Sequence, residues 1–151
     1  MIQVSATNCS ASADPDVPTI TVMVVDEDAD DLRCTYSLLE QEGFDVRACS
    51  TYADALRWLE CKVLDFVIVS QGGPNFEGRS VLERAIEIDR RTPVLVLARF
   101  ADMGCYVESM HLGALDYFEK PLAPRELLRL VKSHLNCRTD RDCRAAGDSL
   151  V

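Results

Sequence analysis

The stretch Ile20-Thr-Val-Met-Val-Val25 is an unbroken run of apolar and β-branched residues that ends at two acids, Asp26 and Glu27. A run this short and this apolar is typical of a strand buried on both faces of a parallel sheet. Further strand patterns recur at residues 44–48, 66–69, 93–97 and 116–118, with helical spacing of apolar residues between them. Strands that alternate with helices predict an α/β fold, in which helices cover both faces of a parallel sheet.

The 151 residues have the size of one domain with short tails. Residues 1–18 are rich in Ser, Ala, Asp and Pro and are predicted to be a disordered segment. Residues 19–137 are predicted to be the folded domain and residues 138–151 a polar C-terminal tail. The chain shows neither a signal peptide nor an apolar run that could span a bilayer, so we expect a cytoplasmic protein.

The composition argues against several classes of partner. A formal net charge of -9 disfavours binding to nucleic acid or to an anionic membrane, because both need clustered Lys and Arg. The seven cysteines are irregularly spaced, without a CxxC pair or a histidine at zinc-ligand spacing. We therefore expect reduced thiols, with no nucleic-acid partner and no membrane partner.

Polar residues lie at the ends of the predicted strands, where parallel sheets bind their ligands. Asp26 and Glu27 follow the first strand, and Lys120 follows the fifth. Two adjacent carboxylates repel each other and favour a cation such as Mg²⁺, and a lysine at the same edge could neutralise them or contact a phosphoryl group. A solvated acidic helix start and an exposed loop lysine fit the same residues. The first loop lacks the glycine pattern that binds nucleotide or flavin phosphates.

Three separated motifs share one family resemblance. They are Val24-Val-Asp-Glu-Asp28, Pro74-x-x-x-Gly78 and Gly113-Ala-Leu-Asp-Tyr-Phe-Glu-Lys-Pro-Leu122. Together they resemble the receiver domain of two-component response regulators (CheY-like), over about residues 20–136. The resemblance implies a flavodoxin-like (βα)5 doubly wound sandwich, with a parallel five-stranded sheet in the order 2-1-3-4-5.

The resemblance also implies roles for individual residues. Asp26, Glu27 and the backbone carbonyl of Gly72 would bind Mg²⁺, Lys120 would contact the phosphoryl group, and Tyr117 would be the aromatic that swings inward. In the family, an aspartate at the end of strand 3 accepts the phosphoryl group from a histidine kinase, and a Thr or Ser ends strand 4. This chain has Ser70 at the acceptor position and Ala98 at the hydroxyl position.

These two departures predict an atypical receiver, or pseudo-receiver. A serine hydroxyl needs a base to become a nucleophile, and alanine has no donor for a phosphate. With two carboxylates against one lysine, the pocket is expected to hold Mg²⁺ weakly, so that Lys120 pairs directly with Asp26 or Glu27. The small side chain of Ala98 leaves room for Tyr117 to lie inward without phosphate. A tyrosine that simply packs on the fourth helix is the simpler alternative.

Three functions remain open from the sequence. The first is a single-domain receiver that binds a partner protein or a second copy, without phosphorylation, through helix 4, strand 5 and helix 5 (residues 103–136). The second is a phosphorelay intermediate with a non-standard acceptor, served by a histidine kinase or another phosphorelay protein. The third is an enzyme or flavin protein on the same fold, which would need a phosphate-binding loop or a catalytic base. We expect a binding protein and no enzymatic activity.

Overall fold

The computed structural model describes residues 19–135. Within this range the strands are β1 (Thr21–Val25), β2 (Asp45–Cys49), β3 (Phe66–Ser70), β4 (Val94–Ala98) and β5 (Asp116–Glu119). They form one parallel sheet in the order β2-β1-β3-β4-β5, which confirms the predicted fold class and strand order. The segments predicted at residues 1–18 and 138–151 lie outside the described residues, and their boundaries stay predictions.

Helices connect consecutive strands. They are α1 (Ala29–Gln41), α2 (Tyr52–Cys61), α3 (Arg79–Ile88) and α4 (Met103–Leu112), and a fifth helix, α5, covers residues 124–135 to the end of the described range. The carboxylates of Asp28 and Asp102 and the hydroxyl of Thr51 cap α1, α4 and α2, which satisfies backbone N–H groups that lack helical partners. Across residues 19–135, every helix is too short or too polar to cross a bilayer.

Alternate side chains of the strands build two cores, one on each face of the sheet. Met23, Val25, Val67 and Val69 face α2, α3 and α4. Val22, Val24, Phe66 and Ile68 face α1 and α5. All residues of β3 and β4 are buried, as expected for central strands covered by helices on both sides. The sheet is therefore a rigid base for the loops at its carboxyl edge.

The only tryptophan, Trp58, lies on α2 and packs against the first of these cores. The Arg47 guanidinium carbon lies 5.0 Å from its ring centroid, and the Lys62 ammonium lies 5.8 Å away. Both distances are in the range of cation–π contacts. The ring therefore contacts the edge strand β2, and it lies six residues, or about 9 Å of helix rise, beyond Tyr52 at the start of α2.

Candidate functional site

The carboxyl edge of the sheet brings the predicted pocket residues together. Asp26 follows β1 directly, whereas Ser70 and Ala98 are the last residues of β3 and β4 instead of following them. Asp26 is only 6% exposed, and Ser70 and Ala98 are also buried. The strands extend one residue further than expected because Ser70 pairs with Leu97 and Ala98 pairs with Glu119 in the ladder. The backbone N–H of Lys120 then donates to the carbonyl of Ala98 at 2.7 Å.

Lys120 is engaged by two carboxylates. Its Nζ lies 2.6 Å from Oδ2 of Asp26 and 3.1 Å from Oδ2 of Asp31 on α1. Burial opposes the charged ammonium, but the hydrogen bonds and negative charges of both acids outweigh burial and raise the pKa of Lys120. The peptide bond between Lys120 and Pro121 is cis. The predicted pairing with Asp26 is therefore present, and the second partner is Asp31 rather than Glu27.

Asp26 lies in a less favourable environment than its partner. Its Oδ1 accepts the backbone N–H of Asp28 at 3.0 Å, and its Oδ2 contacts Lys120. Burial nevertheless raises the pKa of Asp26 above its ordinary value, because these hydrogen bonds offset only part of the lost hydration. The ionised form of Asp26 therefore depends on stabilisation by Lys120.

The local charge differs from the count made on the sequence. That count opposed two carboxylates to one lysine and omitted Asp31, which the first turn of α1 directs to Lys120. Asp26, Glu27 and Asp31 together with Lys120 give a formal charge of minus two. With Asp31 included, the pocket carries one more negative charge than that count, because the first turn of α1 brings this acid to the site.

Glu27 is bound by a residue that sequence reasoning missed. The hydroxyl of Tyr52 lies 2.8 Å from Oε1 of Glu27 and 3.1 Å from the carbonyl oxygen of Ser70. Burial, with the neighbouring Glu27 carboxylate, raises the pKa of Tyr52 well above its ordinary value, so the phenol stays protonated and donates. Tyr52 thus links the loop after β1 to the end of β3.

The loop after β3 is closely packed around Gly72, the predicted source of a backbone ligand. Gly72 has φ 86°, and a Cβ added there would lie 2.6 Å from Oε1 of Glu77. That oxygen accepts the backbone N–H of Gly73 at 2.6 Å. In residues 19–135, no group of three or more His, Cys, Asp or Glu side chains is placed to hold a metal ion. Both acids of the predicted pair contact protein groups in this structure, Asp26 the ammonium of Lys120 and Glu27 the hydroxyl of Tyr52.

Tyr117 lies inside the domain. The residue is 8% exposed, and its ring meets the ring of Tyr106 on α4 edge to face, with centroids 5.7 Å apart. Its hydroxyl accepts the backbone N–H of Asp102 at 3.0 Å and donates to Oε1 of Gln71. Burial raises the pKa of Tyr117. The buried position and the contact with Tyr106 fit both the expectation drawn from the small side chain of Ala98 and the alternative of a tyrosine packed on the fourth helix. The hydrogen bond to Gln71 had not been foreseen.

Comparisons with known proteins agree with this geometry. The family model described as response regulator receiver domain matches residues 22–132. The chain is 32% identical over 125 residues to the transcriptional regulatory protein PrrA of Mycobacterium tuberculosis, covering 83% of this chain and 54% of PrrA. It is 26% identical over 118 residues to the phosphoglycerate transport system transcriptional regulatory protein PgtA of Salmonella typhimurium, covering 78% of this chain and 28% of PgtA.

The solved structures agree as well. A CheY-like receiver domain protein from Methanospirillum hungatei superposes with a TM-score of 0.77 at 27% identity, covering 82% of this chain and 99% of that one. The chain spans about half of PrrA and less than a third of PgtA. The chain therefore belongs to the response regulator receiver domain family.

Proposed function

We propose that this domain is an atypical receiver that acts by binding a partner protein, without a phosphoryl group on residue 70 and without enzymatic activity of its own. The observation that carries the proposal is the buried Ser70 at the end of β3, where the family has its acceptor aspartate, together with the buried Ala98 at the end of β4. Lys120, the remaining cation of the pocket, already neutralises Asp26 and Asp31. Its place of action is proposed to be the cytoplasm.

The chemistry of the pocket supports this proposal. Transfer of a phosphoryl group to the Ser70 hydroxyl requires a base to take its proton. Asp26 is held by Lys120, and Glu27 accepts the hydroxyl hydrogen of Tyr52. Ala98, fully buried at the end of β4, has no polar side-chain atom to donate to a phosphate. The usual side chain is therefore missing both for accepting the phosphoryl group and for forming a hydrogen bond to it.

The same partners support weak binding of Mg²⁺. A divalent cation would have to displace the ammonium of Lys120 from Asp26 and the hydroxyl of Tyr52 from Glu27. Serine supplies a neutral oxygen where an aspartate would supply a charged one, and hard cations favour carboxylate oxygens. Any metal bound here would be held by Asp26, Glu27 and the carbonyl of Gly72.

The partner surface is proposed to be the face of α4, β5 and α5. Three apolar side chains at helical spacing on α4, Met103, Val107 and Met110, are exposed there, as is Phe100 in the loop before the helix, and we call these four residues the α4 ridge. Phe100, Met103 and Val107 are 77%, 75% and 55% exposed. An outward apolar row of this kind is unusual on a surface helix and marks an interaction site.

A separate protein suits the α4 ridge better than a second copy does. Exposed Asp102 and Glu119 lie at its Phe100 end, where Glu119 accepts the backbone N–H of Ala101 at 2.9 Å. Two copies would each bring a net charge of -9, which opposes their association. We therefore propose a partner that offers an apolar helix face flanked by basic side chains.

The intact mass after incubation with acetyl phosphate and Mg²⁺ tests the phosphorylation part of this proposal. The natural protein is compared with Ser70→Asp, which restores the family's acceptor, and with Ser70→Ala, which removes the hydroxyl. We expect a phosphoryl adduct on Ser70→Asp and none on the natural protein. The remaining pocket would then be competent once a carboxylate is supplied.

The opposite result would favour a phosphorelay intermediate. If the natural protein gains a phosphoryl group as readily as Ser70→Asp, the proposal is wrong. Retention of the adduct in Ser70→Ala would place the acceptor at another residue, and its loss would place the acceptor at Ser70 itself.

A further inference from the structure

We propose that Gln71 is a positioning residue that holds Tyr117 inward in the unmodified domain, through a hydrogen bond between its side-chain amide and the phenol. The inference rests on the proposed function, because a preset position of Tyr117 matters in a domain that does not wait for a phosphoryl group.

The direction of the Gln71 amide is set by its surroundings. The side chain is 3% exposed, and Nε2 donates to the carbonyl of Gly73 at 3.1 Å. With the nitrogen directed to Gly73, the oxygen faces the hydroxyl of Tyr117. An amide oxygen only accepts, so the phenol hydrogen is donated to Gln71 and the phenol lone pairs are left for another donor.

The backbone of Gln71 is anchored as firmly as its side chain. Its N–H donates to the carbonyl of Leu97 on β4 at 2.8 Å, and its carbonyl accepts the N–H of Gly78 at 3.0 Å. The residue is therefore fixed to the central sheet on one side and to the start of α3 on the other. Such an acceptor does not follow Tyr117 outward if the ring moves.

The donor to the Tyr117 hydroxyl joins the network to α4. The backbone N–H of Asp102 reaches the hydroxyl at 3.0 Å, while the Asp102 carboxylate accepts the N–H of Cys105 at 3.0 Å and so caps α4. One phenol oxygen thus connects the end of β3, strand β5 and the start of α4. An outward ring would leave the buried Gln71 oxygen without this partner, and an unpaired buried polar group is unfavourable.

This arrangement sets the shape of the proposed partner surface. Tyr106, one position before Val107 of the α4 ridge, packs its ring against the inward ring of Tyr117. Outward movement of Tyr117 would displace Tyr106 and change the outline of the ridge. The buried Gln71 would therefore affect the shape of the α4 ridge without contacting it.

Ring-labelled tyrosine NMR tests the proposal in the absence of any phosphodonor. The Tyr117 signal, assigned by its loss in Tyr117→Phe, is followed in the natural protein, in Gln71→Leu and in Gln71→Glu by its ring chemical shifts and by its contact with the Tyr106 ring. In Gln71→Leu we expect the ratio of inward to outward rings to fall about fivefold, because the phenol loses its acceptor. Gln71→Glu keeps an acceptor oxygen, so the inward ring and its contact with Tyr106 are expected to remain.

Unchanged Tyr117 ring shifts and an unchanged contact with Tyr106 in Gln71→Leu would overturn the proposal. If Gln71→Leu does not fold, Gln71→Met takes its place. Gln71→Met, Tyr117→Phe and the double variant are then compared by urea denaturation. Additive effects on the free energy of unfolding would equally refute the role of the hydrogen bond. These readouts use unmodified protein. Their failure would therefore leave the mass test of the proposed function unaffected, and phosphorylation of the natural protein would leave the NMR result standing.

Discussion

Replacing Lys120 with methionine would remove the ammonium from Asp26 and Asp31 while keeping an unbranched apolar stem. The ammonium lies 2.6 Å and 3.1 Å from the two carboxylates, and Asp26 is only 6% exposed. Removing one partner of a buried ion pair costs roughly 3–5 kcal/mol, because the other charge stays buried without compensation. The Asp31 side chain is 44% exposed, so its loss of a partner is largely screened. We therefore expect a loss of about 3 kcal/mol in the free energy of unfolding at neutral pH, at the lower end of that range.

The loss should depend on pH in a defined direction. Burial already raises the pKa of Asp26, and without Lys120 that pKa rises further. A carboxyl group whose pKa is higher in the folded state favours folding when protonated, and this contribution disappears as pH rises through the folded-state pKa. The deficit of Lys120→Met is thus full at neutral pH and shrinks as pH falls through the pKa of Asp26. It also shrinks at alkaline pH, above the pKa of Lys120, which is raised in the folded domain.

Urea denaturation followed by far-ultraviolet circular dichroism measures these differences. The matched control is the double variant Lys120→Met with Asp26→Asn, which carries no buried carboxylate at position 26. We expect the double variant to recover most of the stability lost in the single one, and to show a weaker dependence on acidic pH. If Lys120→Met costs the same amount beside Asn as beside Asp, the assignment of Asp26 as the dependent charge is refuted.

Two further perturbations test other parts of the structure. Gly78→Ala should destabilise the domain by about 3 kcal/mol in urea denaturation, because the added Cβ would lie 2.2 Å from the carbonyl oxygen of Ser70. Gly73→Ala, whose Cβ would meet no atom nearer than 3.5 Å, should stay within about 1 kcal/mol, and equal effects would contradict the packing argument. In sedimentation equilibrium the natural protein should be a monomer; a dimer that Val107→Lys dissociates would show that a second copy covers the α4 ridge.

The fold was predictable because the local signals for strands and for helix ends agree with the overall alternation of strands and helices. Short β-branched runs gave the central strands, and the end of α4 at Gly113, with φ 109°, follows from a residue that tolerates the left-handed conformation. The caps at Asp28 and Thr51 also have clear local signals. The ends of β3 and β4 were predicted one residue too early. They depend on pairing with the neighbouring strands, which the local sequence does not show.

The site was predictable only where a residue's place in the chain determines its place in the pocket. Asp26 and Lys120 converge because parallel strands end at a common edge. Asp31 was missed because its role depends on the rotation of α1, which directs one acid of the first turn to Lys120. Tyr52 and Gln71 were missed because side-chain direction across loops cannot be read from spacing. The available signal for Gln71 was a large polar residue directly after a fully buried strand.

The position of Trp58 determines what fluorescence can report about this protein. The ring contacts Arg47 of the edge strand and the nearby Lys62, and it lies towards the opposite end of α2 from Tyr52. Its emission is therefore expected to follow the docking of β2 and α2, while events at Ser70 and Lys120 leave its surroundings unchanged. A silent tryptophan signal during a ligand titration would then say nothing about binding in the pocket. Spectroscopic study of that pocket would need a reporter introduced nearer to it, at a solvent-facing position of the β4–α4 loop.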